Sequence, residues 1–305
     1  MFSFTIFTPT YNRAQTLQKL YLSLLNQTFK DFEWIIVDDG SSDNTRELIE
    51  EFKNNSTIAI RYYYQENSGK HIAQNKAVEE SNSILFLPLD SDDTIVPNAL
   101  EFIWEKWNSI SDDEKRYYSG IGVCCIDDKG CIIGAPYPKD GLISNDLEVC
   151  FIYKIYGEKW GCIRTDIMRE FPNPIVKGHF FDESVIWFQI AKKYKKLYYN
   201  FGARIYVIGQ DSVQKHSFFN IANAESISMA MLLYINHFWK WYKKYNKKAL
   251  IKLPLKLVKS STECGKKIVF GKNSIIKQCT PFLAKVIIFF SSPYKLFFLI
   301  VKKFL

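Results

Sequence analysis

Phe86-Leu87-Pro88-Leu89-Asp90-Ser91-Asp92-Asp93 is the stretch on which the reading of this chain turns. Ile84 to Leu87 reads as a buried strand, and three carboxylates follow within four positions. A strand ending in clustered carboxylates puts hard oxygen ligands where the strands of an α/β sheet open into a crevice. Such carboxylates repel one another unless a cation sits among them. Oxygen ligands of this kind suit Mg²⁺ or Mn²⁺, which in turn suit a diphosphate. The competing reading is a surface turn in which Asp93 or Thr94 caps a helix starting near Pro97, because Asp-rich turns are common.

Upstream, the same unit repeats. Phe4 to Phe7 is a β-rich run that breaks at Thr8-Pro9-Thr10-Tyr11-Asn12-Arg13, and Leu17, Leu20, Tyr21, Leu24 and Leu25 then recur at helical spacing. Glu33 to Val37 is a second strand, ending in Asp38-Asp39-Gly40-Ser41-Ser42-Asp43-Asn44-Thr45, with Leu48, Ile49 and Phe52 marking a helix. Ile58 to Tyr64 is a third strand, and the loop Glu66 to Lys70 leads into a helix carrying His71, Asn75 and Lys76. Units of this length suit parallel crossovers, which are right-handed and give a doubly wound sheet. The loops at 8–13, 38–45 and 90–93 are therefore expected to meet along one edge.

Downstream the pattern changes. Helices are predicted over Pro97–Ile110, near Leu147–Tyr153 and over Asp182–Tyr194, with a hairpin around Asp128-Lys129-Gly130 and strands near Trp160–Arg164, Leu197–Tyr199 and Arg204–Ile208. The expected fold class is α/β: a mostly parallel, Rossmann-like sheet, extended by a mixed sheet and followed by C-terminal helices. Residues 1–220 form one domain, with a nucleotide-binding half at 1–95 and an acceptor half at 96–220. Residues 221–305 form a basic helical region.

Charge is divided unevenly. From His237 onward there are 16 Lys, no Arg and a single acid, Glu263, so the rest of the chain is net acidic although the whole carries +8. A basic tail points to nucleic acid or an anionic membrane. Residues 282–305 are mostly apolar but interrupted by Pro293 and Lys295, which is too broken for a spanning helix and fits an interfacial anchor with lysines at the headgroups. The absence of arginine and the apolar character argue against nucleic acid. The seven cysteines lack paired spacing and read as thiols in a reducing compartment. The chain runs from Met1 directly into a strand without a basic, leader-like start, so a cytoplasmic protein, peripheral on the inner face of the cytoplasmic membrane, is expected.

Four motifs carry a family resemblance: Thr8 to Arg13, Val37 to Asp43, Asn67-Ser68-Gly69 with Ala73-Gln74-Asn75-Lys76-Ala77, and Leu89 to Asp93. In this order, each after a strand, they resemble the inverting family 2 nucleotide-sugar glycosyltransferases of the GT-A fold. Gly157-Glu158-Lys159-Trp160, Arg164-Thr165-Asp166 and Phe181 to Trp187 extend the likeness to roughly residues 3–210. The resemblance implies that Pro9, Tyr11 and Asp39 line the base pocket. A carboxylate accepts the imide N–H of uracil and a Tyr face stacks on a base, so a UDP-sugar is favoured. It further implies that Asp90 contacts the ribose or the metal's water shell and that Asp92 ligates Mn²⁺ or Mg²⁺. The metal would stabilise charge on the leaving nucleotide.

The family's catalytic carboxylate usually follows a Glu in a Glu-Asp pair. Here the pair reads Asp182-Glu183, and alignment of Trp187 and Gln189-Ile190-Ala191 puts Glu183 at the base position, with Asp182 the alternate. Both are also well placed to cap a helix start. Lys70 and His71 would offset the diphosphate charge, while Asn67 and Asn75 hold their loop. Trp160 either stacks under an acceptor sugar or belongs to the core. His216 stands where some relatives place a further metal ligand.

The implied activity is sugar transfer from a nucleotide-sugar to a saccharide or lipid-linked acceptor in cell-surface polysaccharide synthesis. A nucleotidyltransferase would show a Gly-rich phosphate loop after the first strand, which Thr-Pro-Thr-Tyr-Asn is not. A degenerate nucleotide-sugar-binding scaffold at the membrane is opposed by the intact Asp39, Asp90, Asp92 and Glu183.

Overall fold

The computed structural model describes residues 1–176, 178–206 and 221–291. Four parallel strands open the chain: β1 (Phe2–Thr10), β2 (Phe32–Asp38), β3 (Ala59–Tyr64) and β4 (Ser83–Pro88), in the spatial order 3-2-1-4. The crossovers contain α1 (Ala14–Leu25), α2 (Thr45–Asn55) and α3 (Lys70–Glu80). Register aligns the C-terminal ends: Thr10 pairs with Asp38, Asp38 with Tyr64, and Phe7 with Pro88. The polar loops thus leave the sheet along one edge, as the βα pattern requires. Beyond β4 the sheet ends in a short antiparallel strand, Ile163–Arg164.

The near-continuous apolar character of β1, β2 and β4 follows from cover on both faces. Phe4, Ile6, Trp34, Ile36, Leu85 and Leu87 are fully buried with Leu17, Leu20 and Leu24 of α1. Tyr21 stacks on Phe52 at 4.1 Å between ring centroids, linking α1 to α2. The one polar atom of Trp34 is satisfied, its indole N–H donating to Thr8 Oγ1 at 2.9 Å.

The second sheet is built on a parallel pair, Tyr118–Ile126 with Lys195–Ile205, flanked by the antiparallel strands Thr94–Ile95, Lys159–Gly161 and Leu142–Ser144. Two expectations change here. The return arm after Asp128-Lys129-Gly130 is reduced to one bridge, Ile126 to Ile132, because Tyr118–Ile126 takes distant partners instead. The two predicted strands around 197 and 204 form one strand whose register shifts between Tyr198 and Gly202 and again before Arg204. Those irregularities re-aim its C-terminal half, as bulges do.

The chain forms two compact units, Met1–Pro174 with Ile186–Asp211, and Ile175–Val185 with Ser212–Leu305. The boundary expected at residue 220 falls at the edge of residues 207–220, which lie outside the described residues. In the second unit, helices Ala224–Tyr245 and Ala249–Glu263 pack as a hairpin, Ser228 near the start of one meeting Ser261 near the end of the other at 2.8 Å. Residues 282–291 are helical. This helix buries Ala284 and Ile288 and exposes Phe282, Leu283, Phe289 and Phe290, so it is apolar on both sides. Residues 292–305 lie outside the described residues, and among those described no helix is long and apolar enough to cross a membrane.

Candidate functional site

The strand-end loops are tied to one another in sequence order. Asn12 adopts the left-handed conformation, φ 51°, which Asn tolerates better than most residues. Its Oδ1 accepts from the Ser42 and Asp43 backbone N–H groups at 2.8 and 3.3 Å, and its own N–H donates to Ser41 Oγ at 2.9 Å. The loop after β1 is thereby joined to the loop after β2. Tyr11, next to this tie, is half-exposed, and Pro9 is partly buried in β1.

Asp38 and Asp39 hold the next junction. Asp38 is buried, accepting from the Ser41 N–H at 2.8 Å and from the Tyr62 hydroxyl at 2.9 Å. Asp39, also buried, accepts from the N–H groups of Ser68 and Gly69, both at 2.8 Å, and from Gln65 Nε2 at 2.7 Å. A carboxylate with four lone-pair sites still has acceptor capacity after three such bonds. Between these two loops Gly40 has φ +92°, and a Cβ there would sit 3.0 Å from the Asn67 nitrogen. No side chain fits this approach without movement.

The loop after β3 reaches β4 through Lys70, whose Nζ lies 2.7 Å from Asp90 Oδ1. The other Asp90 oxygen accepts from Arg204 Nη2 at 3.0 Å. Arg204 also donates through Nε to Asp93 Oδ2 at 2.8 Å and through Nη2 to the same oxygen. Burial works to raise the Asp90 pKa, but Lys70 and Arg204 outweigh it and hold that carboxyl well below the usual range. Burial pushes the Asp93 carboxyl up to about 6, against the pull of Arg204 and with the push of Asp90. Asp93 is thus no helix cap: the following helix is Ala99–Asn108, and Asp93 is spent on a buried ion pair.

Arg204 is a site residue that the sequence reading did not single out. It sits in Phe201-Gly202-Ala203-Arg204-Ile205-Tyr206, the single charge of that local run, and only 7 % of it is exposed. A lone arginine in an apolar run was the available signal, since such a charge is buried only when paired.

Asp92 differs from both neighbours. It is half-buried, and its carboxylate makes no hydrogen bond or ion pair among the described residues. No group of three His, Cys, Asp or Glu side chains that could hold a metal occurs among the described residues. That does not suit a metal caged by protein alone. It does fit Mg²⁺ or Mn²⁺ arriving with a diphosphate, which needs one or two carboxylates and takes its other ligands from phosphate and water.

Other expected residues fall elsewhere. Trp160 is a core residue, 7 % exposed, with its indole N–H donating to the Pro88 carbonyl at 2.6 Å. Its faces are packed among apolar side chains, so it braces the end of β4 and offers no open platform to a sugar, which corrects the acceptor-stacking expectation. His71 is buried, as are Ala73 and Gln74 of the same helix α3. Asn75 does not hold its own loop. It exchanges two hydrogen bonds with the Asn173 backbone, at 2.8 and 2.9 Å. His216 lies outside the described residues.

Asp182 and Glu183 belong to the second compact unit, at the entry to the helix Ser184–Ala191. Asp182 Oδ1 accepts from the Ser184 N–H at 3.2 Å and Oδ2 accepts from the Tyr234 hydroxyl at 2.9 Å. The capping role expected of this pair is therefore taken by Asp182. Glu183 is half-buried beside it.

A doubly wound sheet whose strand-end loops are laced together around an acidic cluster, extended by a mixed sheet, defines the GT-A fold. Residues 5–113 match the Glycosyl transferase family 2 profile. The GalNAc(5)-diNAcBac-PP-undecaprenol beta-1,3-glucosyltransferase of Campylobacter jejuni is 28 % identical over 217 residues, which is 68 % of this chain and 66 % of that protein. The putative teichuronic acid biosynthesis glycosyltransferase TuaG of Bacillus subtilis is 35 % identical over 173 residues, 54 % of this chain and 66 % of that protein. The chain thus spans just under two thirds of the length of these relatives. Among solved structures, S. aureus TarS 1–349 in complex with UDP-GlcNAc superimposes with a TM-score of 0.63 at 16 % identity, covering 93 % of this chain and 83 % of that one. The mannosyltransferase PcManGT from Pyrobaculum calidifontis, in complex with GDP-Man and Mn²⁺, gives 0.55 at 14 % identity, covering 96 % and 80 %. The chain carries a glycosyl transferase family 2 domain over residues 5–113.

Proposed function

We propose that this chain transfers a sugar, with inversion, from a nucleotide-sugar to a saccharide or lipid-linked acceptor in cell-surface polysaccharide synthesis. The carrying observation is the uncommitted carboxylate of Asp92 at the end of β4, beside the row Lys70–Asp90–Arg204. Donor binding is assigned to Pro9, Tyr11, Asp39, Lys70 and Asp90. The exposed Tyr11 ring supplies a stacking face, and the remaining acceptor capacity of Asp39 supports a uracil base. Lys70, half-exposed, carries the positive charge that a diphosphate needs.

Asp92 would hold a divalent cation. Asp90 suits that task less, since Lys70 and Arg204 occupy both its oxygens. Bound there, Mn²⁺ or Mg²⁺ supplies Lewis-acid stabilisation of the departing nucleoside diphosphate. Glu183 is assigned the acceptor proton: it takes the hydroxyl hydrogen as the acceptor oxygen bonds to the anomeric carbon and the carbon–phosphate-oxygen bond breaks on the opposite side. Asp182, engaged by Tyr234 and Ser184, orients the start of that helix.

The acceptor reading is supported by relatives named for a PP-undecaprenol-linked saccharide and for teichuronic acid. The lysine-rich C-terminal region, with the exposed Phe face of 282–291, supports attachment to an anionic membrane at its cytoplasmic side. A panel of nucleotide-sugars, assayed for donor turnover with and without Mn²⁺ or Mg²⁺, tests the assignment. Metal-stimulated turnover of one donor is expected. Binding of nucleoside diphosphates without turnover of any donor would leave a scaffold in place of an enzyme.

A further inference from the structure

The helical hairpin of the second unit carries a groove that the transfer reaction does not use. It is a cavity of about 450 Å³ lined by Tyr242, Asn246, Lys248, Lys252, Leu253 and Lys256. The three lysines recur every four residues, so they form one stripe along the helix Ala249–Glu263. Like charges at that spacing repel. No acid lines the groove, and the only acid from His237 onward is Glu263. Lys248 and Lys252 make no ion pair among the described residues. Lys248 and Lys252 therefore carry charge that no acid lining the groove compensates among the described residues.

Two apolar side chains decide what kind of anion belongs there. Ile251 and Leu255 are 59 % and 45 % exposed, and helical spacing sets them along one edge of the lysine stripe. A site for free phosphate has no use for exposed aliphatic side chains. A lipid surface matches both features, with phosphate at the lysines and the acyl boundary at Ile251 and Leu255.

We propose that the Lys248–Lys252–Lys256 groove seats the phosphodiester headgroups of anionic phospholipids, with Ile251 and Leu255 dipping into the interface. The proposal rests on the membrane attachment inferred above and adds a second contact, separate from residues 282–305.

The test is co-sedimentation of the full chain with phosphatidylcholine vesicles and with vesicles that also contain phosphatidylglycerol, at fixed ionic strength. Wild type should bind the anionic vesicles and leave the neutral ones. Each lysine near an anionic surface strengthens binding about fivefold, so K248Q/K252Q should weaken it about 25-fold. I251S/L255S should weaken binding without altering its salt dependence. All four positions are exposed, and circular dichroism of each variant checks the fold. Wild-type binding by K248Q/K252Q overturns the groove. F289S/F290S reports separately on the tail: if it alone loses binding, attachment stands and the groove falls. If wild type ignores anionic vesicles, both readings fall. Release of wild type from the vesicles by inorganic phosphate, with chloride at equal ionic strength without effect, would make the groove a free-phosphate site and overturn the lipid assignment.

Discussion

Replacing Arg204 with methionine tests whether the acidic cluster is held from the second sheet. Arg204 and Asp93 have side chains 8 % and 2 % exposed, and Arg204 spans both Asp93 and Asp90. Methionine keeps the bulk of the stem and removes five donors and the charge. Removing one member of a buried pair costs about 3–5 kcal/mol, because the partner stays buried and unpaired. Asp93 is already pushed up to about 6, so without the arginine it takes up a proton at neutral pH, which favours the lower half of that range. Asp90 keeps Lys70 at 2.7 Å and contributes less. For a unit of this size each kcal/mol moves Tm by about 2–4 °C, so R204M should melt about 6–16 °C below wild type. Adding D93N removes the orphaned acid, and R204M/D93N should regain at least about 1 kcal/mol over R204M. Thermal and urea denaturation of the four proteins of this cycle read the coupling directly. A loss under about 1 kcal/mol for R204M, or no relief from D93N, would refute the clamp.

Asp92→Asn should reduce metal-supplemented turnover about 10²–10³-fold. Its Tm should match wild type, because the carboxylate makes no hydrogen bond or ion pair among the described residues. Turnover above a tenth of wild type removes Asp92 from the metal role. Glu183→Gln should lower kcat about 10²–10⁴-fold with donor affinity unchanged in calorimetry, and wild-type kcat would move the base elsewhere. Gly40→Ala forces a side chain into φ +92° against the Asn67 backbone and should destabilise the chain by about 1–2 kcal/mol. A urea midpoint equal to wild type would show that the two loops are free to separate.

The doubly wound half was legible from residues 1–95 because its signals are short-ranged. Apolar runs such as Trp34 to Val37 and helical recurrences such as Leu17, Leu20, Leu24 lie within single elements, and the polar clusters mark where strands end. Parallel crossovers then leave one arrangement in which the loops at 8–13, 38–45 and 90–93 share an edge, and the hydrogen bonds of Asn12 and Asp39 are the consequence. The irregular second sheet was less legible, since its pairings join segments whose patterns are equally compatible with several partners, as the single strand Lys195–Ile205 shows.

Sequence by itself determined the βα order, the strand-end motifs and the division between an acidic body and a basic C-terminal region. Tertiary structure decided which partners each carboxylate in the acidic cluster takes. Asp93 meets Arg204 across 111 residues, Trp160 meets Pro88 across 72, and Asp182 meets Tyr234 across 52. Local pattern marks a residue as charged or aromatic and places it on a strand end or a helix start. Whether it stays open to a ligand or is consumed by a partner depends on which distant surface removes it from water. Three aspartates within four positions look alike in sequence. In the fold Asp93 is buried in an ion pair, Asp90 is shared between two cations, and Asp92 alone of the three keeps its oxygens uncommitted among the described residues.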